Sequence, residues 1–302
     1  MEQKPIASQQ QDQAVMPKEE TYLSMVWRRF KRHKLAVISL VILILLYLMA
    51  IFAPYIAPYH HSQMQLDKAL HPPSLEHPFG TDRIGSDIFS RIIWGSRISL
   101  SVGIVAAGIA LLLGTIIGSI SGYFAGTFID DILMRVTETV AAFPVMFLLL
   151  TVIAILPRST LNIMIVIGAT SWPNLARMVR GQFLSLRELD YVEAARALGA
   201  KDTRIVFVHI LLNTMAPIIV SATLRIGGAI LAESGLAFLG LGVTSPPSWG
   251  TIINGGRPLL RQAPWIMAFP GIFIFVTVLA FNYVGDRSEE HTSELQSRHN
   301  VG

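Results

Sequence analysis

Residues 98–129 read ISLSVGIVAAGIALLLGTIIGSISGYFAGTFI, and none of them is charged. A bilayer core about 30 Å thick is crossed by roughly 20 apolar helical residues, so this run is long enough to span it with turns to spare. It lacks strand alternation and far exceeds the ~10-residue strands of a membrane barrel. In lipid, every backbone N–H and C=O must find its partner within the segment, which leaves the α-helix. Gly114, Gly118, Gly122 and Gly126 recur every fourth residue along it. Such a stripe lets a second helix come close, the way helices associate where lipid removes the hydrophobic drive. We assign these four glycines to helix packing.

Working outward, residues 35–53, 139–156, 159–176 and 263–285 are also free of charge, and 216–243 is broken only by Arg225 and Glu233. Six transmembrane helices are predicted, and the fold class is an all-α integral membrane protein. Composition agrees. Hydrophobic residues make up 52% of the 302 and charged residues 15%, against about 25% charged in soluble proteins. Mean hydropathy is +0.52. Disorder is excluded, and without cysteine so is a disulfide scaffold. The first run is too long for the ~7–15-residue core of a signal peptide, so it counts as a span. Pro144 and Trp172-Pro173 fall inside or beside two runs, where proline kinks or ends a helix.

Lys and Arg set the orientation. Placing the N-terminus inside puts Lys4, Lys18, Arg28, Arg29, Lys31, Arg32, Lys34, Arg135 and the loop cluster Arg177, Arg180, Arg187, Arg196, Lys201 and Arg204 on one face. The other face then has half as many. The N-terminus is therefore expected in the cytoplasm, in a multi-pass plasma-membrane protein. The net charge of +4 serves topology and anionic lipid headgroups, so no nucleic-acid partner is expected. The chain divides into a cytoplasmic arm (1–34, with an interfacial helix expected over 21–34), a first span with its extracytoplasmic loop (35–97), a core transmembrane domain (98–286) and a tail (287–302).

The loop over 54–97 carries His60, His61, His71 and His77, whose spacing matches no metal motif, so no metal site is expected. Gly240, Gly242, Pro246, Pro247, Gly250, Gly255 and Gly256 mark irregular backbone before the last span. Residues 189–202 read LDYVEAARALGAKD, in a loop between the fourth and fifth spans. At 100° per residue, Val192, Ala195, Leu198 and Gly199 share a stripe, which predicts a short amphipathic helix outside the membrane. Gly199 suits its end, and Asp202 is a candidate N-cap for a second short helix. Two such helices make a lever. A solvated connecting loop is the plainer alternative.

These residues carry a resemblance. Glu193-Ala194-Ala195, then Gly199, then Ile210-Leu211 resembles the EAA loop of ABC importer permeases. His77-Pro78-Phe79-Gly80-Thr81-Asp82, Ser90-Arg91 with Gly95 and Arg97-Ile98-Ser99-Leu100, Ile230-Leu231-Ala232-Glu233, Phe238-Leu239-Gly240-Leu241-Gly242 and Pro247-Ser248-Trp249-Gly250 resemble the C-type permease of dipeptide/oligopeptide importers. The likeness covers about 27–286. It departs at Leu212, where the family often has proline, and at Ser86, where it often has arginine. The resemblance implies a permease subunit forming the pathway for peptides. It implies a homologous B-type permease, two cytoplasmic ATPases holding ATP and Mg, and an extracytoplasmic substrate-binding protein as partners, with membrane lipid around them. It implies that Asp190, Tyr191, Glu193, Ala194, Ala195 and Gly199 couple the subunit to the ATPases. Related permeases carry glutathione or nickel complexes, which are alternative cargoes.

No phosphate-binding Gly-x-x-x-x-Gly-Lys-Ser/Thr loop, zinc-protease motif or nucleophile elbow occurs, so the chain is expected to bind no cofactor and to be no enzyme. Arg225 and Glu233 are costly inside a membrane and lie about 80° apart around a helix. They are candidates for the translocation pathway. A structural ion pair and a contact with the sister permease are the alternatives. A self-contained channel or secondary transporter would instead show inverted repeats, and none is evident. After Asp286 the family pattern stops. Residues 287–302 resemble a translated sequencing adapter and are expected to be non-native.

Overall fold

The computed structural model describes residues 34–299, with side chains over 34–286. The expected arm and interfacial helix at the N-terminus lie outside the described residues but for Lys34, and of the expected non-native tail 287–299 is described as helical backbone only. Every regular element among the described residues is helical, apart from one isolated bridge between Thr81 and Asp87.

Helix α1 (Lys34–Ile51) is unbroken by Gly or Pro and ends where Pro54 enters the single-turn α2 (Ala53–Ile56). Helix α3 (Ile88–Tyr123) starts ten residues before the charge-free run, so the extracytoplasmic segment expected up to Arg97 is helical from Ile88 onward. The reason is a cap. Asp87 accepts from the Ser90 N–H at 2.7 Å, and the exposed or paired Arg91 and Arg97 do not interrupt the backbone.

Helices α4 (Phe128–Ala142) and α5 (Val145–Ile155) meet at Phe143-Pro144 with a bend of 85°. The run expected as one span over 139–156 therefore straddles a break, because Pro144 supplies no N–H to continue α4. Helix α6 (Thr160–Ser171) passes into α7 (Pro173–Leu186) through Trp172, which keeps helical dihedrals. Pro173 at the first position of α7 lacks an N–H that would be unsatisfied there anyway. Helix α8 (Asp190–Ala197) is separate. Helix α9 (Asp202–Arg204) runs on through a π-helical stretch (Ile205–Ile210) into α10 (Leu211–Phe238). Helix α11 (Trp249–Gly256) begins with a Ser248–Thr251 capping box, and α12 (Trp265–His299) completes the fold.

Four segments are long and apolar enough to cross a membrane: α1, α3, the continuous Asp202–Phe238 and Trp265–Asp286. The bent pair α4–α5 supplies a fifth if taken as one span, and α6 is shorter. At 1.5 Å per residue its 12 residues reach only about 18 Å. Any full crossing there must draw on α7, which carries Arg177 and Arg180.

Packing follows small residues. A Cβ added at Gly114 would sit 2.8 Å from Leu175 Cβ, at Gly118 2.5 Å from the Ala176 carbonyl, and at Gly122 2.4 Å from Phe183 Cβ. Three glycines of the stripe thus press α3 onto α7. Gly126 does not belong to that contact. It lies past the end of α3 with φ +82° and open space around it, and it makes the turn into α4. One apolar cluster joins α1, α3, α11 and α12 around Trp249, a second joins α3, α5, α6 and α10, and a third joins α7, α8 and α10.

Candidate functional site

The helix carrying Glu193-Ala194-Ala195 stands at one end of the bundle. Asp190 and Glu193 lie in its first turn, where carboxylates oppose the positive end of the helix dipole. Gly199 ends it at φ +80°. Ala200 N–H donates to the Ala195 carbonyl and Gly199 N–H to that of Arg196, both at 3.0 Å, the paired bonds of a Schellman motif. Val192 is fully buried among Phe183, Ile205 and Ile210. Burying a valine side chain is worth about 1.5–3 kcal/mol, enough to seat a two-turn helix that would not form alone.

The rest of α8 faces outward. Glu193, Ala194, Arg196, Ala197 and Gly199 are exposed, and Ala195 is half-buried. Leu198 does not join Val192 on the buried stripe. The helix stops at Ala197, and the turn at Gly199 swings Leu198 to 89% exposure. Asp202 is not an N-cap either. Lys201 holds that position, and the Asp202 carboxylate accepts the Tyr123 hydroxyl from the end of α3. The expected second short helix is not a separate rod, because it is continuous with α10.

Tyr191 sits on the first turn of α8. Its hydroxyl donates to the His209 carbonyl at 3.4 Å and accepts from Asn213 Nδ2 at 3.3 Å, while the same Nδ2 donates to the His209 carbonyl at 2.6 Å. Burial pushes the Tyr191 phenol up, so it stays a neutral donor. Sequence reasoning missed Tyr123 and the group beside it. Asp130, at the start of α4, receives Arg180 Nε at 2.8 Å and Nη2 at 2.7 Å, with the Ser121 hydroxyl donating to the same carboxylate. A lone Asp-Asp pair fifty residues from an arginine gives no periodic signal that would have revealed this.

Arg225 and Glu233 do not pair with each other. Arg225 Nη1 donates to the Ser171 carbonyl at 2.7 Å, which ties α10 to the end of α6. Glu233 is 3% exposed, with the Ser234 hydroxyl 3.4 Å away. Gly250 of α11 presses on Ser234 and covers that side of α10.

At the opposite end of α3, residues 77–91 fold into a small knot. His77 Nδ1 lies 2.9 Å from Asp87 Oδ1, Asp82 accepts the Ile84 and Ser86 N–H groups, and Arg91 pairs with Asp82. Trp265 Nε1 donates to the Thr81 carbonyl at 3.1 Å, and Phe79 stacks on Phe269 at 4.0 Å, so α12 is fastened to the knot. His60 and His61 pack against Trp94. Burial, then the nearby His60 and Arg91, hold His61 below the ordinary histidine range. Among the described residues no group of three or more His, Asp or Glu is placed to hold a metal ion.

Comparison with known proteins follows the same outline. Residues 114–293 match the family described as binding-protein-dependent transport system inner membrane component, and residues 21–73 match the N-terminal TM domain of oligopeptide transport permease C. The chain is 45% identical over 259 residues to the oligopeptide transport system permease protein OppC of Bacillus subtilis (strain 168), covering 85% of each. It is 43% identical over 276 residues to the dipeptide transport system permease protein DppC of Alkalihalophilus pseudofirmus, covering 89% of this chain and 90% of that one. It is 42% identical over 262 residues to the glutathione transport system permease protein GsiD of Escherichia coli O6:K15:H31, covering 86% of each. The inward-facing MetNI methionine ABC transporter has a chain of the same fold, with TM-score 0.54 and 18% identity over 68% of this chain and 97% of that one.

Proposed function

The chain belongs to the binding-protein-dependent transport system inner membrane components, and from that premise we propose that it carries peptides of the dipeptide or oligopeptide class. It lines half of a pathway and pairs with a homologous B-type permease. A substrate-binding protein delivers cargo on the extracytoplasmic side, and two ATPases bind at the cytoplasmic end. ATP and Mg²⁺ sit on those partners, and this subunit does no catalysis. The N-terminus lies on the cytoplasmic side in this reading, which the excess of Lys and Arg on that face supports.

The observation that carries this reading is α8. A helix seated by one buried valine, with Glu193, Ala194, Arg196 and the 89%-exposed Leu198 facing away from the bundle, is built to be gripped by another protein. Its alanines let a partner's groove approach closely. Movement of the gripped helix switches the pathway between inward and outward access. Arg225 is the stronger pathway residue of the two charges, because Glu233 is enclosed by α11 in the single subunit.

Co-expression with the adjacent ATPase genes tests the reading. Ala195→Trp is expected to insert in the membrane normally and to lose the ATPases on affinity purification. Full recovery of the ATPases with that variant, or none with the unaltered chain, refutes it. Arg225→Gln is expected to assemble and to import a labelled tripeptide more slowly, and an unchanged import rate removes Arg225 from the pathway. Glutathione is the competing cargo, and displacement of tripeptide from the binding protein by glutathione would favour it.

A further inference from the structure

Helix α8 is held at both ends by tyrosines, and the two come from different places. At its first turn, Tyr191 of α8 itself bonds the His209 carbonyl and the Asn213 amide, at the junction of the π-helical stretch with α10. Beyond its last turn, Tyr123 at the end of α3 donates to Asp202 and meets the Arg196 guanidinium of α8. Between them Val192 fixes the middle against α7. Tyr123 packs its ring against the apolar cluster of α7, α8 and α10, and each tyrosine makes its link through the hydroxyl.

A helix anchored by Val192 alone would be free to pivot about that point. With the Tyr191 hydroxyl bonded at its first turn and Arg196 of its last turn set against the Tyr123 hydroxyl, a rotation of α8 pulls on the first turns of α10 and on the end of α3. The first of these connections lands where the π-helical stretch passes into α10. Backbone bonding there runs five residues back, as the Leu211 N–H to the Val206 carbonyl shows, and such stretches sit between two bonding registers. Asn213 spans the boundary, donating to His209 four residues upstream.

We propose that Tyr191 and Tyr123 are positioning residues that fasten the two ends of α8 to α10 and α3, so that displacement of α8 moves these spans instead of being absorbed in the loop. This rests on the reading of α8 as the ATPase-gripped helix. The hydroxyls contribute little to the grip itself, since Tyr191 points to His209 and Asn213, and Tyr123 lies on another helix.

The test uses the whole complex, with its ATPases and binding protein, in proteoliposomes. Tyr191→Phe, Tyr123→Phe and the double variant are compared by ATPase co-purification, by ATP hydrolysis and by uptake of radiolabelled trialanine. All three variants are expected to retain the ATPases and to hydrolyse ATP. Each single variant should raise the ATP consumed per peptide roughly 5-fold, the size of one net hydrogen bond, and the double variant more. A wild-type ratio in all three overturns the proposal. So does loss of ATPase co-purification in the Phe variants, which would make the tyrosines part of the grip. Failure of the unaltered chain to retain the ATPases overturns the functional reading beneath it and is distinguished by occurring without any substitution.

Discussion

Replacing Gly122 with alanine puts one methyl group into the tightest point between α3 and α7. That carbon would lie 2.4 Å from Phe183 Cβ, 3.0 Å from the Arg180 carbonyl and 3.3 Å from Arg180 Cα. Ordinary carbon contacts fall near 3.5–4.0 Å, so the helices must separate by about 1 Å or Phe183 must leave its site. Phe183 is fully buried and its Cβ is part of the backbone frame, so rotation of the ring gives no relief. Overpacking of this kind costs about 1–3 kcal/mol. Alanine returns about 1 kcal/mol through its better helix propensity, leaving a net loss of up to about 2 kcal/mol. Gly108→Ala is the control, because nothing lies within 4 Å of the added carbon on the same helix. Thermal stability of the detergent-solubilised chain, read by fluorescence-detected size exclusion, should fall by several degrees for Gly122→Ala, roughly 2–4 °C per kcal/mol. It should hold or rise for Gly108→Ala. If Gly122→Ala melts at or above Gly108→Ala, the close approach of α3 and α7 is not what these glycines serve.

Val192→Ala should cost about 1–2 kcal/mol, confined to α8. Hydrogen exchange over 189–200 should quicken while the global melting point barely moves, and unchanged exchange there would count against the anchor. Arg180→Gln leaves the buried Asp130 carboxylate without its two charged donors and should destabilise by roughly 1.5–3 kcal/mol, a loss that Asp130→Asn in the same chain should partly recover. No recovery in the double variant would show that the pair is not the interaction lost. Asp87→Asn keeps the side-chain cap on Ser90 but weakens the contact with buried His77. A loss of about 1 kcal/mol with an unchanged start of α3 by hydrogen exchange is expected. Early fraying of α3 would mean the carboxylate charge, and not only its oxygen, makes the cap.

Apolar run length made the membrane class legible, and proline and glycine marked most of the breaks. Charge-free runs located α1, α10 and α12 closely because lipid demands the same residues wherever a helix crosses. They misplaced the start of α3, since a capped helix continues through Arg91 and Arg97 once it leaves lipid. They merged α4 and α5 because hydropathy is blind to direction, and an 85° turn at Pro144 leaves it unchanged. The Glu193-Ala194-Ala195 helix and its Gly199 terminus could be read from local pattern. The contacts around it could not, because Tyr123–Asp202 and Asp130–Arg180 join residues far apart in the chain and obey no period. Nor could the fate of Leu198, which depends on where the helix stops by a single residue.

Helix α3 has 36 residues and so is about 54 Å long, against a hydrocarbon layer of about 30 Å. It is a strut longer than the membrane is thick. One projecting end carries the 77–91 knot with Trp94 and Trp249 beside it. The other ends at Tyr123, next to Asp202 and the Asp130–Arg180 pair. Two polar assemblies at opposite ends of α3 are therefore mounted on one unbroken helix at a fixed spacing. A tilt imposed at either end is carried to the other along one unbroken helix.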